Sequence, residues 1–355
     1  MTPTNTEAEH GAYRVAYLGP EGTFTEQALR DMEQAGYFAG LGGDAAAVQP
    51  IAVNSPRAAL DMVRTGEADY ACVAIESSVD GPVSHTEDAL ANGEPLQIYQ
   101  EVLVPVEFSI LVRPGVSAES VETFTTHPVA EAQVRGWVGE NLPGVRFIPA
   151  SSNAAAAAAV AAGEVDAAAS PARAGEIHGL EALAAGVADV AGAYTRFVLV
   201  GRPGRPTAWT GRDRTGVTLT LQNRPASLLD ALAELSTRGV DMSRISSRPL
   251  RAEDGTRMGM YIFHVDIVGH IDDAAVAEAL AGLHRSTESV RYLGSWPTAD
   301  EVVTGAGCAG GAGGAGGAGG SDVAGRTGTR RHSGSAPPSY AASHQWIADL
   351  KEGKA

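Results

Sequence analysis

Thr195, Arg196 and Phe197 put a hydroxyl, a fixed cation and an aromatic ring side by side at the mouth of the apolar strand Phe197 to Val200. A hydroxyl can donate to an oxygen that must leave, and a guanidinium can hold a carboxylate with two parallel bonds. Three residues in a row are weak evidence alone. Two other stretches, Tyr17 to Leu29 (YLGPEGTFTEQAL) and Val73 to Val83 (VAIESSVDGPV), supply small polar residues where an apolar strand ends and a helix begins. Free N–H groups at a helix N-terminus, together with the helix dipole, favour an anion. Gly22, Thr23, Ser152, Asn153 and Ser170 all stand at such ends. Each alone reads first as a helix cap, so the functional case depends on their converging. The spacing describes a cleft for a small, oxygen-rich anion. Glu76 is the lone carboxylate of its loop before the acidic Asp80. Facing an anion it must be paired, so it reads equally as a tie that orients Ser78.

The elements that must position these residues are legible from alternation and caps. RVAYLG, VQPIAV and DYACVAIE read as strands, and LQIYQEVLVPVEFSILVRP as two or three more. Thr23-x-x-Glu26 and Ser84-x-x-Glu87 match capping boxes. Ser55-Pro56, His127-Pro128 and Ser152-Asn153 open further helices, the last an Ala-rich one. Strands alternating with helices imply a parallel or mixed sheet covered on both faces. Gly201 to Gly216 is a Pro/Gly/Arg-rich linker. Beyond it VTLTLQ, PASLLDALAELSTRG, DMSRISSRPLR, GMYIFHVDIVG, DDAAVAEALAGLHRST and SVRYLGSWP follow a βαββαβ order, the ferredoxin-like arrangement.

The chain has 355 residues and a net charge of −16. That charge argues against nucleic acid, which needs clustered Lys and Arg, but one cleft can still be locally positive. The two cysteines, Cys72 and Cys308, form neither a disulfide framework nor a metal-ligand spacing, so a reducing cytoplasm is expected. The polar N-terminus carries no h-region, and the apolar run Ala154 to Ala162 is too short for a membrane.

Taken in order, these stretches resemble prephenate dehydratases over residues 13 to 297. The resemblance rests on LGPEGTF (Leu18 to Phe24), the TRF tripeptide, and Arg248-Pro249 with the closing VRYLGSWP of an ACT-type regulatory domain. It implies an α/β fold: a two-lobed, periplasmic-binding-protein-like catalytic unit over 13–202 and a ferredoxin-like ACT domain over 216–297. Lobe 1 would hold 13–95 and 185–202, and lobe 2 would hold 96–184. A disordered N-terminus (1–12), a linker (203–215), a Gly-rich flexible stretch (298–340) and a weakly ordered tail (341–355) complete the expected division.

The implied activity is decarboxylating dehydration of prephenate to phenylpyruvate in phenylalanine biosynthesis, with no cofactor and no metal. Aromatisation drives it, so the protein must hold two carboxylates and help a hydroxyl leave. The resemblance assigns Thr195, Arg196, Glu76 and Ser78 to catalysis. It assigns Gly22, Thr23, Ser77, Gln133, Ser152, Asn153, Ser170 and Phe197 to substrate binding, although Phe197 reads by itself as a core residue. Asn223, Pro225, Ala226, Ser227, Leu228, Arg248 and Pro249 would bind phenylalanine, or tyrosine, as effector, with a homodimer or homotetramer closing that site. The chain departs from the family pattern where Ala74 replaces a Pro, Ser77 an Asn and Ser247 a Glu, and where Ala226-Ser227-Leu228 stands for GAL. A solute-binding protein of the same shape, or an amino-acid-sensing regulator with little activity, are the competing readings. Preference for arogenate over prephenate stays open.

Overall fold

The structure, a computed structural model, describes residues 12–41, 47–250, 260–299 and 338–354. The expected N-terminal disorder and Gly-rich stretch, with Cys308, fall almost wholly outside these residues.

The chain enters through β1 (Tyr13–Leu18), α1 (Phe24–Gln34), β2 (Val48–Val53), α2 (Pro56–Thr65), β3 (Tyr70–Ser77), the two-residue β4 (Gly81–Pro82), α3 (Ser84–Ala91) and β5 (Gln97–Pro105). A second set follows: β6 (Ser109–Val112), β7 (Thr123–Thr126), α4 (Pro128–Asn141), β8 (Arg146–Pro149), α5 (Asn153–Ala161), β9 (Ala167–Ser170), α6 (Ala172–His178) and β10 (Glu181–Ala185). β11 (Tyr194–Gly201) then returns to the first set. The last set is β12 (Asp213–Thr220), α7 (Ser227–Ser236), β13 (Met242–Pro249), β14 (Tyr261–Val268), α8 (Ala274–Ser286) and β15 (Ser289–Pro297), closed by α9 (Tyr340–Lys351).

The described residues form three sheets, and the protein is mixed α/β. The first has the order β2-β1-β3-β11-β5 with β4 beside β3, the second β10-β6-β9-β7-β8, and the third β13-β14-β12-β15. β5 pairs along its length with β11 in the first sheet. The expected division, which gave residues from 96 onward to lobe 2, is therefore corrected: the chain crosses after Pro105, because β5 extends the apolar pairing of β11. The third sheet begins at Asp213, not at 216, since Asp213 already pairs with Pro297. The short strands β7 and β10 were not read from the sequence.

Two packing choices hold the sheets in place. In the second set the buried alanines of α5 lie on the alanines of β9, and small side chains let helix and strand approach closely. Between the first and third sheets, β15 drives Leu293 and Trp296 into the core formed by Val198, Val200, Ile98 and Leu96. Gly216 leaves room for the Trp296 ring, and Gly294, at φ 123°, lies against the Ile98 carbonyl. A Cβ at 294 would collide with that backbone oxygen in a conformation L-residues avoid. Gly294→Ala is expected to cost about 2–4 kcal/mol of stability, read as a drop in urea midpoint; a change under about 0.5 kcal/mol would contradict this packing.

The C-terminal segment, expected to order only weakly, is a helix. Ser339 caps α9 by accepting from the Ala342 N–H. Ile347 and Leu350 enter the core of the third set, and Trp346 stacks on His284 of α8 at 4.5 Å. The i, i+3 spacing of Ile347 and Leu350 was the available signal. Among the described residues no helix is long and apolar enough to cross a membrane.

Candidate functional site

The C-terminal ends of β1, β2 and β3 and the start of β11 share one edge of the first sheet. At that edge a cavity of about 700 Å³ is lined by Leu18, Gly19, Pro20, Thr23, Ala52, Val53, Asn54, Ala58, Ser151 and Ser152. Three helix N-termini open onto it. Thr23 caps α1, Ser55 caps α2, and Ser152, reaching over from the second set, caps α5. Of the loops expected to converge, those at Thr23 and at Ser151-Ser152 line this cavity, Ser170 does not, and the start of α2 joins them. Each cap hydroxyl accepts one N–H, from Glu26, Ala58 and Ala155 respectively. Other first-turn donors remain for a ligand, because a helix leaves several without an internal acceptor. Asn54, exposed beside Ser55, was missed, although Asn before Ser-Pro carries the same signal as the other caps.

Thr195 is half-buried, and its hydroxyl makes no hydrogen bond among the described residues. It pairs with Ser77 on β3 and Val104 on β5. It lines none of the four described cavities; its neighbour Tyr194 lines a second one, of about 500 Å³, at the crossover beside Pro105. Ser78 fixes this strand start: its Oγ accepts from the Tyr194 N–H and its own N–H donates to the Tyr194 carbonyl, both at 2.9 Å. The Ser77 hydroxyl accepts from the N–H groups of Val79 and Asp80 and so shapes the turn. Gln133, on α4, donates to Asp80 at 2.9 Å and ties the first two sheets across the edge.

Several expected ligand residues have other work here. The Gly22 N–H is taken by the Glu26 carboxylate at 2.6 Å, while its Cα faces Ala174 and Ile177 of α6. The Asn153 side chain accepts from Thr126 and from the His127 N–H, and the fully buried Ser170 donates to the Asn153 carbonyl. Phe197 is a core residue, packed with Tyr13, Phe38 and Leu199. The second capping box is corrected too. Val83 precedes α3 without a side-chain cap, and Glu87 instead accepts from Arg244 at 2.6 Å.

Arg196 is the largest departure. By strand alternation it points away from the Thr195 face, and it is 3% exposed. Its guanidinium bonds Asp266 at 2.7 Å, Glu101 at 3.1 Å and Glu76 at 3.1 Å. Burial opposes its charge, but Asp266 and Glu101 outweigh burial and hold its pKa above the usual value. The guanidinium expected to hold a carboxylate of a ligand is thus engaged by three carboxylates of the protein, and it joins β11 to the third sheet. Asp266 also accepts from Arg244 at 2.9 Å, and Glu101 from Trp296 at 2.9 Å. Burial would raise the Asp266 pKa, but Arg244 and Arg196 hold it well below the usual carboxylate range.

His264, two residues from Asp266 on β14, is buried, and neither ring nitrogen has a hydrogen-bond partner among the described residues. Glu87 and Asp88 of α3 face it, with Arg244 and Asp266 of the third sheet. Burial first, and Arg244 next among the lowering influences, push its imidazole down to about 4. The unfolded chain takes up this proton below about pH 6.5 and the folded chain does not until about 4, so this contribution to stability is lost as pH falls through that window. From pH 6.5 to 5 the loss is about 2 kcal/mol. Urea midpoints should show this loss in the wild type and less of it in His264→Phe; an equal loss in both would contradict it.

In the third set Ala226 adopts φ 66° ahead of α7, the left-handed region where glycine is at ease. No side chain caps α7. Asn223, Pro225 and Ala226 are exposed, and Ser227 and Leu228 are half-buried. Arg248 grips Asp88 of α3 with two bonds of 2.9 Å, while Pro249 ends β13. No group of acidic, histidine or cysteine side chains among the described residues could hold a metal.

Comparison with known proteins gives a consistent picture. A family model described as prephenate dehydratase matches residues 15–205. A prephenate dehydratase of Mycolicibacterium gilvum is 49% identical over 340 residues, 96% of this chain and 99% of the relative. The crystal structure of prephenate dehydratase in complex with L-Phe from Arthrobacter aurescens is 41% identical with a TM-score of 0.71, covering 80% of this chain and 90% of that one. A structure described as GqqA, a novel type of quorum quenching acylase, is 29% identical with a TM-score of 0.67, covering 80% and 97%.

Proposed function

The chain belongs to the prephenate dehydratase family, and on that premise we propose that the edge cleft between the first two sheets holds prephenate for dehydration beside Thr195. The protein is a hydro-lyase of phenylalanine biosynthesis, converting prephenate to phenylpyruvate, and phenylalanine regulates it allosterically. The acylase description belongs to a neighbour at 29% identity, whereas the dehydratase relatives stand at 49% and 41%.

The observation that carries the site assignment is the convergence of three helix N-termini on one cavity spanning two sheets. First-turn N–H groups of α1, α2 and α5 take the two carboxylates, with Asn54 and Ser151 at the rim. The Thr195 hydroxyl, without a hydrogen-bond partner among the described residues, donates to the departing ring hydroxyl. A Thr hydroxyl is a poor acid, so its effect is placement of a hydrogen bond, with water completing proton transfer. Ser78 and Ser77 hold the strand and turn that present it. Loss of carbon dioxide and water leaves the aromatic ring.

The third set is read as the ACT domain. The effector's carboxylate sits on the N–H groups of Leu228 and Leu229 at the uncapped start of α7, with Asn223, Pro225, Ala226 and Ser227 around it. Arg248 and Pro249 border this site, in a homodimer or homotetramer located in the cytoplasm. The test is direct. Purified protein given prephenate should release phenylpyruvate, and phenylalanine should change the rate. Absence of phenylpyruvate would end the enzymatic reading; turnover indifferent to phenylalanine would end the effector site.

A further inference from the structure

We propose that Asp266, in the third sheet, is a positioning residue for the reaction of the first: by gripping Arg196 it sets where Thr195 stands. This rests on the reading of Thr195 given above. Arg196 follows Thr195 directly, and its buried guanidinium reaches from the first sheet to a carboxylate of the third. Asp266 takes Nη2 of Arg196 at 2.7 Å, shorter than the bonds to Glu101 and Glu76.

The grip is itself braced. Arg244, one strand over, bonds Asp266 through Nε at 2.9 Å and reaches Glu87 of α3 through Nη1. Glu101 is anchored by Trp296 Nε1 at 2.9 Å and by the Ala299 N–H at 3.1 Å. Glu76, cross-strand from Arg196, precedes Ser77, which pairs with Thr195. Both strand segments flanking the reaction edge therefore hang on a guanidinium whose shortest bond comes from another sheet. Rigid supports of this kind matter because a misplacement of about 1 Å at a reacting group can cost on the order of a hundredfold in rate. A plain interdomain tie would have no reason to end on the residue beside the hydroxyl.

Asp266→Asn keeps the shape and removes the charge. It should lower kcat for prephenate about tenfold or more while KM stays within about twofold. Arg291→Gln is the control. It breaks another contact between the first and third sets, Nη1 to the Leu90 and Gly93 carbonyls, away from Arg196. It should lower Tm and leave kcat at the wild-type value. If Asp266→Asn does not accumulate folded, Asp266→Glu, which keeps the charge but displaces Arg196 by a methylene, reads the same split. Wild-type kcat in a folded Asp266 variant, with only Tm lowered as in Arg291→Gln, would overturn the proposal. An inert wild type would instead overturn the assignment of function.

Discussion

Arg196→Leu is expected to destabilise the protein by about 3–5 kcal/mol, the range for removing one partner of a buried ion pair. The reason is what stays behind. Glu101 and Asp266 are each 2% exposed as side chains and cannot take up water in compensation. Asp266 keeps Arg244, and Glu101 keeps Arg214 at 3.4 Å, so the network does not collapse to bare charges. It does lose the one cation that all three carboxylates share. Arg196→Lys should recover only part of the loss, because a single ammonium cannot present the planar fork that reaches three carboxylates. Urea unfolding checks both variants. A loss under about 1 kcal/mol for the Leu variant would mean that the network is incidental.

Arg196 also marks where the sequence stops being readable. Its type and its place in the TRF string point to a carboxylate ligand. Its real partners, Glu101 and Asp266, lie 95 and 70 residues away and carry no local sign of their target. Glu87 misleads for a related reason. Ser84-x-x-Glu87 satisfies a local capping pattern, but a buried arginine from the third sheet offers the fully buried carboxylate a better partner. Local features with local causes were legible: Thr23 and Glu26, Ser55-Pro56, and Ser152 before the alanine run all open helices as their chemistry dictates. Their convergence followed from strand order, since ligands in such sheets gather where several strand ends meet. Gly294 and Trp296 were legible as part of the closing strand SVRYLGSWP, but not their packing, because much of what they meet belongs to another sheet. Asn153 and Ser170 show the cost of reading every polar cap as a ligand, as both spend their side chains on one another's surroundings.

Thr195→Ala is the second large effect. Removing a hydroxyl that places one hydrogen bond on a departing oxygen should lower kcat about 10²–10³-fold. The fold should barely notice, because the side chain is half-buried and bonds nothing in the described protein. KM should move little, since the carboxylates are held by the helix ends and not by this residue. Thr195→Ser keeps the donor and should stay within about tenfold of wild type. The decisive measurement is the rate of phenylpyruvate appearance from prephenate for wild type, Thr195→Ser and Thr195→Ala at matched folded concentration. The account predicts a graded series in which only the alanine enzyme is nearly silent. An alanine enzyme that turns over as fast as wild type would show that the departing oxygen is met by some other group, and the site would have to be drawn elsewhere.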